Sequence, residues 1–369
     1  MRSAFPLSLY VHLPWCEQKC PYCDFNISTN LPNDFSEFQS ALLADIESSR
    51  EWIKERKFSS IYFGGGTPSL VNPSLHEKIL DILRSHHLID GNAEITIEFN
   101  PKETKAKNLH RFLNIGFTRF SVGIQSFDDN VLQGLGRNHA SKHSLRAIEE
   151  LEKIKARKSI DLMYGCPNQS EDSALDDISI LGCSGINHLS YYQLTIEPNT
   201  VFFSQTPKIP TEDKILLIEN NSSALLIKKL FEQYEVSSWS RNEEYSKHNL
   251  NYWNYGDYLG IGPGSHSKFT TEGYTFRFTK LKKVSSYLKD QSPKLMQRVE
   301  GNKLDMDIAM NLFRLKNGVD LDALDSYLLL PKSFFAKCME ARKRGLLDKN
   351  KLAPTQKGFN FLNDLLGLF

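Results

Sequence analysis

The stretch Leu9–Phe25, LYVHLPWCEQKCPYCDF, decides how the rest of the chain is read. It sets Cys16, Cys20 and Cys23 in a Cys-x-x-x-Cys-x-x-Cys spacing directly after a short apolar run. Three thiolates on one loop make a soft-metal site, because sulfur ligands select zinc, copper(I) or iron-sulfur clusters. A closed structural zinc site wants four ligands, and only three cysteines are close here. A [4Fe-4S] cluster held by three cysteines keeps one iron open for an exchangeable ligand, which turns an electron store into a reaction site. Pro14 and Pro21 stiffen the loop, and Pro21 keeps Cys20 out of helical geometry. A zinc loop completed by a distant His, or by Cys166, Cys183 or Cys338, is the competing reading at this point.

Outward from the loop, the chain alternates. Leu7 to Leu13 reads as a buried strand that delivers the chain into the cysteines. Asp34 to Lys57 carries Phe35, Phe38, Leu42, Ile46 and Ile53 at helical spacing, behind a cap at Asn33 or Asp34. The pattern then runs strand Ser59 to Phe63, helix Pro73 to His86, strand Glu94 to Phe99, helix Thr104 to Leu113 and strand Arg119 to Gly123. It continues with helix Lys142 to Ile154, strand Ser159 to Met163, helix Asp172 to Leu181 and strand His188 to Gln193. Strands alternating with helices predict a parallel sheet with right-handed crossovers and functional loops at the strands' carboxyl ends. Six such units fall short of a closed eight-fold barrel, so the expected fold is α/β, a partial (β/α)6 barrel.

The 369 residues carry a net charge of +1 and are 40% hydrophobic and 24% charged, which argues against a nucleic-acid footprint. No apolar run approaches the roughly 20 residues needed to span a bilayer, and Met1 to Pro6 lacks the apolar region of a secretory signal. The expectation is a cytoplasmic protein, and six cysteines with three clustered suit metal ligation better than disulfides.

Each predicted strand ends in polar or glycine-rich residues. Gly64-Gly65-Gly66-Thr67-Pro68 follows the second strand, and absent side chains there let backbone N-H groups approach a charged ligand. Glu98 sits on the third strand, Gln125 and Ser126 follow the fourth, Arg137 lies in Gly-Arg-Asn-His, and Asp161 lies on the fifth. A lone acid at a strand end is usually only solvated; repetition around one rim favours a site.

These motifs carry a resemblance. Tyr10, the three cysteines and Tyr22 look like the opening of radical S-adenosylmethionine (SAM) proteins, and GGGTP, TIEFNP, SVGIQSF, LGRNH and IDLMYG look like SAM-site motifs of the oxygen-independent coproporphyrinogen III oxidase family. Within it, the chain resembles the haem-chaperone (HemW-like) branch. The resemblance implies a radical SAM barrel in which Cys16, Cys20 and Cys23 hold a [4Fe-4S] cluster whose open iron chelates SAM, and an electron donor feeds the cluster. It implies that Tyr10, Gly64, Gly65, Thr67 and Glu98 contact SAM, and that Gln125, Arg137 and Asp161 match positions where the oxidase holds a second SAM.

Beyond Gln193 the alternation breaks. Glu212 to Gln233 reads as helical and Tyr234 to Trp239 as a strand, giving domains at 1–235 for the radical SAM core, 236–300 for a connecting segment, and 301–369 for a C-terminal domain. In the connecting segment His248, Tyr252 and Trp253 set an imidazole beside two aromatics, a combination suited to a flat macrocycle with a central metal, although a lone His on such a stretch is usually structural. The His-Asn-x-x-Tyr-Trp pattern resembles a feature of haem chaperones, which implies haem as a ligand and His248 as its donor. Gly260, Gly262 and Gly264 permit tight packing or a sheet-edge turn. Helices Leu304 to Leu315 and Pro331 to Arg344, a hairpin over Leu346 to Leu352 and a last helix Thr355 to Leu365 look like a small winged-helix-like domain similar to the family's.

The resemblance leaves two functions. The oxidase is an enzyme, a coproporphyrinogen dehydrogenase-type oxidoreductase that abstracts hydrogen from porphyrinogen propionates; the chaperone binds haem and delivers it to an acceptor protein. Phe25 stands where the oxidase carries a further cysteine, and the oxidase has a sizeable segment ahead of its cluster loop, so the chaperone is the expected function. Cys166 in Tyr-Gly-Cys-Pro is most simply a small buried residue.

Overall fold

In the computed structural model, which describes residues 5–369, one 12-stranded sheet organises most of the chain. Six strands, β1 (Leu7–Leu13), β2 (Phe58–Gly65), β3 (Ile89–Phe99), β4 (Arg119–Gln125), β5 (Arg157–Tyr164) and β6 (His188–Gln193), pair in sequence order and all in parallel. Their helices, among them Pro73–Ser85, Ala106–Ile115, Ser141–Glu152 and Glu171–Gly182, turn buried Leu, Ile and Phe residues onto the strands, forming one continuous core. The sequence-based (β/α)6 expectation is met, and the carboxyl ends of β1–β6 form one rim.

The sheet extends past both ends of that set. After β6 come an antiparallel β8 (Ser238–Ser240) and β7 (Glu232–Glu235). On the far side of β1 lies β9 (Asp257–Ile261), parallel to it, then antiparallel β10 (His266–Thr271), β11 (Tyr274–Thr279) and β12 (Lys294–Val299). The stretch 236–300, read from sequence as connecting, thus supplies five strands of the same sheet. Because β9 runs parallel to β1, the turn after it, Gly262–Ser265, opens onto the same rim as the cysteine loop. Gly260 thus lies in β9, and Gly262 and Gly264 lie in the turn that joins β9 to β10, neither of them an edge strand.

Several boundaries differ from the sequence reading. The first helix ends at Ser48 and restarts over Arg50–Ile53, because the Ser49 hydroxyl bonds back to the Asp45 carbonyl at 2.8 Å. The helix from Glu212 stops at Lys228, and Leu230 with φ 65° turns the chain into β7. The expected last helix is two short ones, Gln356–Asn360 and Leu362–Leu366, interrupted at Phe361. Helices Asn302–Leu312, Leu321–Tyr327 and Lys332–Lys343 enclose a second core with Phe313, Phe334 and Phe369, beside the short bridges Val319–Leu352 and Leu347–Pro354. Phe5 and Tyr255 join that core and tie it to the sheet.

Candidate metal centre and the adjoining cleft

The cysteine loop leaves β1 at Leu13 and is held open by backbone pairing: Cys16 N-H donates to the Ser28 carbonyl at 3.0 Å and Ser28 N-H to the Pro14 carbonyl at 2.7 Å. The end of β2 lies directly against it. Gly66 N-H donates to Leu13 and Thr67 N-H to Trp15, an approach so close that a Cβ on Gly66 would stand 2.5 Å from the Trp15 carbonyl oxygen. Gly65 has φ +107°, and a Cβ there would meet the His12 ring at 2.5 Å. The glycines serve first to seat β2 against the cysteine loop, a packing role beside the ligand approach expected from sequence.

Cys16, Cys20 and Cys23 are half-buried free thiols that line a single cleft at the rim. Tyr22, Gly65, Thr67, Glu98, Gln125, Arg137 and Asp161 line the same cleft, so the structure brings together the candidates that the strand-end pattern selected. Two of them touch sulfur: Thr67 Oγ1 lies 3.5 Å from Cys16 Sγ and an Arg137 terminal nitrogen 3.6 Å from Cys20 Sγ. Arg137 also reaches the Tyr22 hydroxyl at 3.4 Å and is anchored on the Gly123 carbonyl at 2.8 Å. Burial pushes the Cys16 thiol up to about 11 and raises Cys23, so charge-neutral thiols are favoured until a metal displaces their protons.

Opposite the thiols stand two carboxyls. Burial raises Glu98 to about 7, with the nearby Asp161 charge adding to it and the Tyr62 hydroxyl, 2.7 Å away, opposing it. Burial raises Asp161 to about 6 against hydrogen bonds from Ser190 and Ser121. Two partly buried acids without an ion-pair partner among the described residues make a pocket prepared for a cationic group. Gln125 completes this side with a left-handed backbone, φ 69°, and accepts from the Tyr192 hydroxyl at 2.9 Å. Tyr192 lines the cleft and was missed from sequence, although its place at the end of β6 obeys the strand-end rule that found the others.

Gly64 and Tyr10 sit just below this floor. A Cβ on Gly64 would come within 3.2 Å of Tyr62, Tyr10 and Glu98, and Tyr10 stacks on Tyr62 at 6.2 Å while its hydroxyl meets His12 Nδ1 at 3.2 Å. Tyr10 opens instead onto a second cleft of ≈ 670 Å³ on the other side of the cysteine loop. Tyr252, Trp253, Tyr258 and His266 form its far wall, and Phe25 and Ile27 line both clefts, so the loop is the partition between them. Asn26 pins that partition, its side-chain amide donating to the carbonyls of Pro263 and Lys282, both at 2.8 Å.

His248, the sequence candidate for haem ligation, lies outside both clefts. It is 2% exposed; Nδ1 is 2.9 Å from the Ser60 hydroxyl, Nε2 is 2.8 Å from the Tyr252 hydroxyl, and the ring stacks on Tyr62 at 4.9 Å. Burial lowers its pKa to about 3, which keeps it neutral. With both nitrogens engaged, His248 props Tyr252 against the sheet, and the ligand role assigned to it from sequence is withdrawn. The three remaining cysteines lie elsewhere: Cys166 is buried among Val131, Met163 and Phe202, Cys338 is in the C-terminal core, and Cys183 is exposed. Among the described residues no three His, Cys, Asp or Glu side chains converge on a single-ion site, the cysteine loop included. A four-iron cluster asks for something wider, because each cysteine takes a different corner.

The model of the radical SAM superfamily matches residues 10–181. The chain is 37% identical over 370 residues to the haem chaperone HemW of Buchnera aphidicola subsp. Acyrthosiphon pisum, covering 99% of this chain and 98% of that one. It is 36% identical over 372 residues to the haem chaperone HemW of Escherichia coli, with the same coverage. The chain belongs to the HemW family. The solved structure of the E. coli coproporphyrinogen III oxidase HemN superposes with a TM-score of 0.80 at 21% identity, over 99% of this chain and 90% of that one, which speaks for the fold. Membership of the radical SAM superfamily brings a [4Fe-4S] cluster and SAM, and the residues present fit both: three free thiols flanked by a hydroxyl and a guanidinium, facing two unpaired acids.

Proposed function

We propose that this chain is a cytoplasmic haem chaperone that binds haem, carries a SAM-ligated [4Fe-4S] cluster beside it, and passes the haem to an acceptor protein. The observation that carries this reading is the 36–37% identity to HemW chaperones over 99% of the chain, which includes the stretch that builds the second cleft. No described helix is long and apolar enough to cross a membrane. When bound, the SAM-ligated cluster supplies one-electron chemistry fed by an external donor. In this reading Cys16, Cys20 and Cys23 hold the cluster, with Arg137 and Thr67 balancing its sulfur charge. Glu98 takes the cationic end of SAM, Tyr22, Gly65 and Thr67 shape its seat, Tyr10 and Gly64 support Glu98 from beneath, and Gln125, Arg137 and Asp161 extend the seat along the rim.

Coproporphyrinogen oxidation is the weaker reading, because the likeness to the oxidase, at 21% identity, supports the fold alone. The test is transfer. Chain loaded with haem under anaerobic conditions is mixed with an apo-haem protein, and the acceptor's haem spectrum is expected to appear as the donor's fades. Haem that stays put, or never binds, contradicts the chaperone.

A further inference from the structure

We propose that the haem cargo sits in the second cleft, with His266 facing the iron and Lys19 and Lys282 facing the propionates. The proposal rests on the chaperone reading and deepens it by placing the cargo. Three histidines border this region, and their hydrogen bonds separate them. His12 Nε2 is 2.8 Å from the Asn26 carbonyl and its Nδ1 is 3.2 Å from the Tyr10 hydroxyl. His248 is bonded at both nitrogens. The His266 ring is exposed, lines the cleft and makes no hydrogen bond among the described residues. It alone of the three offers a free nitrogen lone pair to a metal.

The remaining walls suit an iron tetrapyrrole with two carboxylates. Tyr252 and Tyr258 meet edge to face at 4.6 Å, with Trp253 beside them, and give flat apolar surface. Lys19 and Lys282 are exposed cleft residues with no ion pair among the described residues, whereas Arg277 is already held by Asp307 at 2.8 Å and by the Tyr258 hydroxyl. Asp24 is the one acid lining the cleft, so the excess charge is positive. The volume of ≈ 670 Å³ lies inside the roughly 300–1,000 Å³ typical of ligand pockets. Because Asp24, Phe25, Asn26 and Ile27 belong to the cysteine loop, haem placed here lies against the back of the cluster site.

The test is a haem titration of the full cluster-loaded chain, read from the Soret band. His266→Ala is expected to shift the band and to weaken haem binding by about tenfold or more, with iron-sulfur content unchanged. Free imidazole added to His266→Gly is expected to restore the band. Lys19→Glu with Lys282→Glu is expected to weaken haem but leave binding of haem dimethyl ester, which lacks the carboxylates, as it is in the wild type. A His266→Ala chain with wild-type spectrum and affinity overturns the site while leaving the chaperone reading intact. A wild-type chain that takes up no haem overturns both.

Discussion

The Arg137 guanidinium stands 3.6 Å from Cys20 Sγ, with its second terminal nitrogen fixed on the Gly123 carbonyl. A partly buried cation so placed would stabilise negative charge on the sulfurs of a bound cluster, the more so in its reduced form. Arg137→Met is therefore expected to lower the cluster's reduction potential and its retention during purification. An EPR-monitored redox titration measures the shift; a potential equal to wild type would mean that the contact carries no electrostatic weight.

Replacement of Cys16, Cys20 or Cys23 by Ala is expected to bring iron and sulfide content down to background, since a methyl group cannot replace a thiolate ligand. Cys166→Ala and Cys338→Ala, which alter separate apolar clusters, are expected to keep the cluster. Zinc without iron in protein reconstituted anaerobically would contradict the assignment of the loop.

Glu98 gives a dependence on pH whose sign can be worked out. Its folded value of about 7 exceeds the 4.5 of a free carboxyl, so the empty chain holds a proton there below neutral pH and loses stability as pH rises through 7. Glu98→Gln removes that loss and is expected to stabilise the empty chain above pH 7 by on the order of 2 kcal/mol, measured by urea unfolding. SAM binding has the opposite need, because its cationic end wants the carboxylate. Affinity in the wild type is expected to rise with pH through about 7, and in Glu98→Gln to be weaker and flat. A wild-type affinity independent of pH would move the SAM contact away from Glu98.

His248→Gln is expected to cost about 1–3 kcal/mol of stability, because the Ser60 and Tyr252 hydroxyls lose buried partners. In chain that keeps its cluster, the Soret position of bound haem is expected to stay where it is. A shift in that position would return His248 to the list of iron ligands.

The six-unit barrel was legible because each strand from β1 to β6 is an apolar run set off by an amphipathic helix, and because polar residues recur at the strand ends. The same rule reached Glu98, Gln125, Arg137 and Asp161 without any contact information, and it missed Tyr192 because an aromatic residue in a strand reads as packing rather than as a polar strand end. β9 was not legible: five residues ending in Gly260-Ile261, with Gly262 and Gly264 just after, read as tight packing or a sheet-edge turn, and only pairing with β1 makes them a strand. The role of His248 was equally hidden, since an imidazole between aromatic residues reads the same whether its nitrogens face a cleft or are bonded to Ser60 and Tyr252. The glycine triplet has a packing reason the sequence did not disclose; Gly65→Val meets His12 and a left-handed backbone before it meets any ligand.

The most direct measurement takes one anaerobically reconstituted sample, with cluster and SAM in place, and assays haem transfer and coproporphyrinogen decarboxylation side by side. The expected result is haem bound and delivered to an apo-acceptor, with decarboxylation at background. SAM-dependent decarboxylation at catalytic rates, without haem transfer, would contradict the chaperone function.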